Sequence, residues 1–371
     1  MNNNYDISQL ITTISENAIH ENNKHYWMVR TDDGANYSTF AESGFVALNL
    51  RNLSLAHLFA LHQEREDKDG CINLIRLLLI RLHEENSISL SFDRDSNAYA
   101  TNISRLAGQI YRMAYEMKCG DIVLIPSHGA SEIKIGRIVD AGPITDNHIT
   151  DRFSIARKVK WIRTISKKRF DPCLYKALGA HQAISNVSEY SQFIERNYRS
   201  YFKLDDKMHY VLTINTESVS ARKLSKYVSG ILDTAKEISD ACGLNIDVDE
   251  VEFSINVNSP GKFSFISTVK TSILIIAVAT AIGGGTLQYN NLNIRTNGAF
   301  TTLVEGINSL FDAKEELREK KAIFDEYMNS LEVKSVEDWN SRIEDETRAS
   351  IIKDAPEDSI LALPENLHNK E

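Results

Sequence analysis

Hydrophobic and polar positions in the first half of the chain alternate in short bursts. Trp27, Val29, Phe45, Val46, Ile122, Leu124, Ile133, Ile135, Ile138 and Val159 sit in brief β-branched or aromatic runs broken by Gly, Pro and Asp, which predicts strands. Helical stretches interrupt them. A leading helix is expected over 7–18 and one or two helices over 53–85, where Leu55, Leu58, Leu61, Ile75, Leu78, Leu79 and Leu82 recur at helical spacing. Another is expected over 102–117, with Ile103, Leu106, Ile110, Met113 and Met117 on one face and Gly120 returning the chain to a strand. Residues 172–202 read as helical and close this first module.

Beyond the polar run 203–207 the rhythm becomes strand, helix, strand, helix over 209–215, 220–241, 249–257 and 263–282, the alternation of a small α/β domain. The last of these belongs to an apolar helix over 263–285. No charge occurs from 271 to 287, and 273–282 is continuous apolar sequence with a single threonine. Such a run suits a buried or oligomer-facing helix, with Ile273, Ile276 and Val278 at the interface, or a membrane-inserted one; a bilayer span takes about 20 apolar residues. A long amphipathic helix is expected over 303–331, where Leu303, Leu310, Leu317, Phe324 and Leu331 stand seven apart. The chain therefore divides into 1–202, 208–335 and an acidic, partly mobile tail, 336–371.

Charge sharpens this division. The formal net charge is -9, yet 152–169 holds Arg152, Arg157, Lys158, Lys160, Arg163, Lys167, Lys168 and Arg169 with no acid between them. The four cysteines form no Cys-x-x-Cys pair, so no zinc ribbon or redox motif is written here, and they read as reduced thiols. Without a basic, apolar leader the expected location is the cytoplasm, with the inner membrane as the alternative if 271–287 inserts.

Three segments carry a resemblance: His25-Tyr-Trp-Met-Val-Arg30, then Gly120-Asp-Ile-Val123, then Val159-Lys-Trp161. Their wording and spacing resemble the PUA-like superfamily, in particular its EVE-like and restriction-system domains. The resemblance covers roughly residues 20–200. It implies an α+β chain that opens with a PUA-like β-barrel carrying helical insertions, followed by the small α/β domain. It also implies a pocket for a nucleobase, nucleic acid or a nucleotide as the partner, and a setting in prokaryotic defence.

On this reading Trp27 or Trp161 stacks on a base, the alternative being that both fill the core, and Arg30 contacts a phosphate or a base edge. Alternation along β structure puts Arg157, Val159, Trp161 and Arg163 on one face and Lys158, Lys160 and Ile162 on the other. Arg157, Lys160 and Arg163 are the expected phosphate contacts, or else cations of a solvated edge strand. No phosphate loop, nucleophile elbow or zinc-protease helix is present. Asp121, Glu132 and Lys134 follow the order of a metal-dependent nuclease, a weak signal set against their place in an ordinary hairpin. The expectation is a non-enzymatic sensor or effector of antiviral defence that needs no cofactor or metal and forms a homo-oligomer. A nucleotide-gated membrane effector using 271–287 and an adaptor for a separate nuclease are the alternatives, with a partner nuclease or a signal-producing enzyme as the further protein involved.

Overall fold

The computed structural model describes residues 6–17, 24–48, 67–144, 155–179, 182–214, 219–256, 261–283 and 298–335, with isolated positions between them. Most of the first helix expected over 53–85, Arg152, the end of the apolar run at 284–287 and the acidic tail 336–371 lie outside the described residues. The chain is mixed α+β and forms two compact units, 21–197 and 1–20 together with 198–371. The leading helix α1 (Ile7–Asn17) thus belongs with the C-terminal unit rather than with the first module. Its Ile7, Ile11 and Ile14 recur at helical spacing and enter that unit's core.

In the unit 21–197 the strands are β1 (Tyr26–Val29), β2 (Phe45–Leu48), β3 (Ile122–Pro126), β4 (Glu132–Ile138), β5 (Ile155–Ser166) and β6 (Ile184–Asn186). They form one sheet in the order β2-β5-β4-β3-β1-β6, curled into a half-barrel rather than closed as a barrel. Around it lie α2 (Tyr37–Ser43), α3 (Lys68–Glu84) and α4 (Tyr99–Tyr111), the last running into a π-helical turn, Arg112–Glu116. The expected apolar stripe is real: Ile103, Ala107, Ile110 and Met113 pack with Trp27, Val123, Ile125 and Ile138 on one face of the sheet.

The helix expected over 172–202 is instead two short helices, α5 (Leu174–Leu178) and α6 (Ser191–Glu195), with β6 between them. Tertiary pairing overrides local propensity here. β6 pairs antiparallel with β1, and the buried Gln109 carboxamide accepts the Ile184 N–H at 2.5 Å.

The second unit contains β7 (Tyr201–Leu204), β8 (Lys207–Ile214), α7 (Ala221–Cys242), β9 (Glu252–Asn256), β10 (Gly261–Ser267), α8 (Val269–Gly283), α9 (Ala299–Ala313), α10 (Glu315–Ser330) and β11 (Val333–Ser335). Its sheet runs β11-β8-β10-β9, with β7 also paired to β8. Residues 261–267 form this strand rather than the start of a helix, because Phe263 and Phe265 alternate with Lys262 and Ser264 at the period of two that a sheet requires.

Ile273, Ile276 and Val278 lie wholly inside this unit's core, so the membrane or oligomer contact expected of them is corrected. α8 is apolar on all sides because neighbours surround it. At about 1.5 Å per residue its 15 residues fall short of a bilayer's hydrocarbon core. No described helix is long and apolar enough to cross a membrane. The long helix over 303–331 is likewise two helices, broken at Lys314, whose backbone is extended (φ -116°, ψ 116°). The seven-residue repeat is produced by both helices burying residues in one core, not by a coiled coil.

Candidate functional site

Trp27 is buried on the inner face of β1, and its indole Nε1 donates to Asp121 Oδ2 at 2.8 Å. Asp121 also accepts the backbone N–H groups of His25 and Lys118, each at 3.0 Å. This carboxylate ties the entry to β1 and the entry to β3 together. Trp27 has no face to offer a base, which corrects its stacking role.

The nuclease-like set also comes apart. The Asp121 carbonyl accepts from Ile138 N at one end of the β3–β4 hairpin, whereas the Glu132 carbonyl accepts from Ser127 N at the other. Six residues of strand separate Glu132 from Ile138, about 20 Å. Glu132 lies instead beside Tyr37, whose hydroxyl is pushed up by burial first and by Glu132 next.

Arg157 is corrected in the same way. Its side chain is 0% exposed. Nε donates to Asp140 Oδ1 at 2.7 Å, and Nη1 donates to the carbonyl of Met117 at the end of the π-helical turn. Cations are favoured at a helix C-terminus, where carbonyls lack partners. The guanidinium is a buried cap and cannot reach a phosphate. Trp161 is half-buried, with Nε1 donating to the Phe40 carbonyl at 3.0 Å, so it braces α2.

A β-bulge rearranges the remaining cations. Ile135 pairs with Arg163 but Gly136 pairs with Trp161, which leaves Ile162 as the extra residue. Gly136 is required there, since a Cβ would meet Val159 Cγ1 at 2.3 Å and Trp161 Cε3 at 2.6 Å. Because the bulge shifts the alternation, Arg163 joins Lys158 and Lys160 on one face, away from Trp161. Arg137 stands directly opposite Lys160 on that same face.

Arg30 is the one sequence-predicted residue that lines a cavity of base-accommodating size. The cavity has a volume of about 670 Å³ and is bounded by Arg30, Asp32, Asn36, Leu48, Leu90 and Phe92, among others. β1 and β2 are separated by three strands in the sheet, yet Arg30, which follows β1, and Leu48, in β2, border one space. The curl of the sheet brings them there.

Arg30 is half-buried and its Nη2 donates to the Leu178 carbonyl at 2.6 Å. Asp32, Asp33 and Gly34 then take successive left-handed conformations with φ of 55°, 50° and 93°. Strain of this kind persists only where the surroundings hold it. Here Thr31 Oγ1 donates to the Pro126 carbonyl at 2.6 Å, and His128 Nδ1 contacts the Asp33 carbonyl at 2.8 Å.

The turn delivers Asn36 to the first position before α2. An asparagine there ordinarily caps its helix with the side chain. Asn36 does not: its backbone alone takes part, accepting from Phe40 N at 3.0 Å and donating to Thr31 O at 2.9 Å. The residue as a whole is 4% exposed, and its carboxamide borders the cavity and makes no hydrogen bond to the described residues. Opposite in character, Phe92 gives the cavity an aromatic wall and is braced edge-on by Tyr99 at 5.9 Å.

Sequence reading missed Asn36, Asp32 and Phe92. Asp-Asp-Gly followed by Asn just before a helical stretch was the available signal for the first two; Phe92 carried none. In comparisons with known proteins, no family model, curated protein or solved structure matches this chain.

Proposed function

We propose that the unit 21–197 is a nucleobase-reading module of the PUA-like kind, within a sensor or effector protein. The observation that carries this reading is the Asn36 carboxamide. The amide faces the cavity with no protein partner among the described residues, so a base edge can take its donor and its acceptor together. Arg30 supplies further donors, Asp32 an acceptor and Phe92 an apolar face, the set that an unstacked base calls for. The volume lies in the range of small-molecule pockets, about 300–1,000 Å³. The curled sheet supports a PUA-like identity.

Calorimetric titration of the full chain with a panel of nucleosides and mononucleotides tests the reading. One base class is expected to bind, with Asn36→Ala weakening it about 10- to 100-fold, as loss of one bidentate contact does. Folding should be unchanged, because the amide makes no bond within the protein. Absence of binding across the panel, or wild-type affinity in Asn36→Ala, would overturn it.

A further inference from the structure

The sheet of the C-terminal unit ends on one side at β9, which pairs with β10 alone among the described strands. Its sequence is Glu252-Phe-Ser-Ile-Asn256. Phe253 stands opposite Phe265 and Ile255 opposite Phe263, so both belong to the face on which Phe263 and Phe265 enter the core. The covering stops short of them: Phe253 is 39% and Ile255 42% exposed. Two large apolar side chains on one face thus meet solvent at the edge of the sheet.

Edge strands are ordinarily protected by proline, lysine, a bulge or an inward-pointing charge. β9 has no proline and no lysine, and its register against β10 is unbroken. Its one charge, Glu252, is drawn along the other face of the sheet to Lys207 of β8, across β10. Nothing in the strand itself guards against pairing with another.

We infer that β9 pairs antiparallel with β9 of a second copy of this chain, joining the two sheets about a twofold axis. The register that uses all of β9 sets Phe253 opposite the partner's Ile255 and, by symmetry, Ile255 opposite the partner's Phe253. Odd positions meet odd ones, so these apolar side chains form one cluster on the core side of the joined sheet. On the opposite face Glu252 meets the partner's Asn256 and not its own copy, the clash that in-register parallel pairing would create. Asn256 pairs in turn with Lys262 of β10. Lys262 of one copy and Glu252 of the other then stand two strands apart, about 10 Å, the same number of strands that Lys207 and Glu252 already bridge. Charge and apolar pattern therefore both select a second copy as the occupant. The strand is only about 17 Å long, so the contact is small and the dimer forms at micromolar or higher protein concentration. This surface lies in the C-terminal unit and is independent of the cavity reading.

Sedimentation velocity of the full chain, from micromolar to submillimolar concentration, tests the pairing. The wild type should pass from one chain to two as concentration rises. Phe253→Lys and Ile255→Glu should each weaken self-association at least about 10-fold, because symmetry makes one substitution spoil two cross-strand contacts. Mixed together, the two variants should associate again, since the new lysine of one chain faces the new glutamate of the other while Ile255 and Phe253 still meet on the second side of the axis. That recovery separates loss of pairing from loss of folding, which mixing does not repair. A wild type that stays single at every concentration, a dimer that keeps its strength in either variant, or a mixture that fails to associate overturns the inference.

Discussion

The indole N–H of Trp27 points at Asp121, and the 2.8 Å bond between them withdraws both residues from surface chemistry. Asp121 serves as a three-way buried acceptor, so its loss leaves the Trp27 N–H and the two backbone N–H groups of His25 and Lys118 without a partner. Bonds to a charged acceptor are worth roughly 1.5–3 kcal/mol each, and the losses overlap. Asp121→Ala is expected to lower unfolding stability by about 3 kcal/mol in urea melts. A variant that melts like the wild type would show that the carboxylate has no such structural role.

Arg157 and Asp140 make the next case. Breaking a buried ion pair from one side costs about 3–5 kcal/mol, because the remaining charge stays desolvated. Arg157→Ala should therefore destabilise the protein by that amount. Arg157→Lys should restore little of it, since one ammonium cannot serve Asp140 and the Met117 carbonyl in the geometry of the guanidinium fork. A change in nucleic-acid affinity at full stability would place Arg157 on the surface instead.

The two corrections share a cause with the parts of the fold that were legible. Local patterns announced β1, β3, β4 and the apolar face of α4, because each depends on spacing within a few residues. Trp27 and Asp121 meet from 94 positions apart, and nothing local marks that contact. Arg163 lies on the opposite face from the one that unbroken alternation gives it, because the β-bulge opposite Gly136 shifts the register by one residue. Lys314, where the helix over 303–331 breaks, is neither glycine nor proline, so no residue there marks the break locally. Of the cavity, Arg30 was visible, while Asn36 acquires its meaning only when the helix start leaves its side chain free.

Gly34 tests how closely the cavity depends on the strained turn. Its φ is 93°, and a Cβ there would meet His128 N at 2.5 Å and His128 Cα at 2.6 Å, both backbone atoms. Gly34→Ala is expected to cost about 2 kcal/mol and to shift the turn that carries Asp32 and Asn36. Ligand affinity should fall further than stability alone explains, measured well below the melting temperature. Equal affinity in a stably folded variant would separate the turn from the site.

In the C-terminal unit, α7 approaches α10 so closely at Gly230 that a Cβ would come 1.8 Å from Phe324 Cε1. Overpacking of this kind costs about 1–3 kcal/mol. Gly230→Ala should destabilise, and Phe324→Leu in the same chain should recover part of the loss, since the two residues share one space. Additive losses in the double variant would mean that the helices do not meet there.

Ile276 decides between the two roles that its sequence allowed. It is fully enclosed in the core formed by α1, α7, α9 and the sheet, with Ile273 and Val278 beside it. An aspartate at this position has no partner, and an unpaired buried charge costs several kcal/mol, a large part of the roughly 5–15 kcal/mol that holds a typical domain together. Ile276→Asp is thus expected to unfold the C-terminal unit, seen as loss of its cooperative melting transition and as rapid proteolysis after residue 198. The unit 21–197 has its own core. Its cavity should still bind the mononucleotide if that unit remains folded. A chain that folds normally with Ile276→Asp would return α8 to an interface.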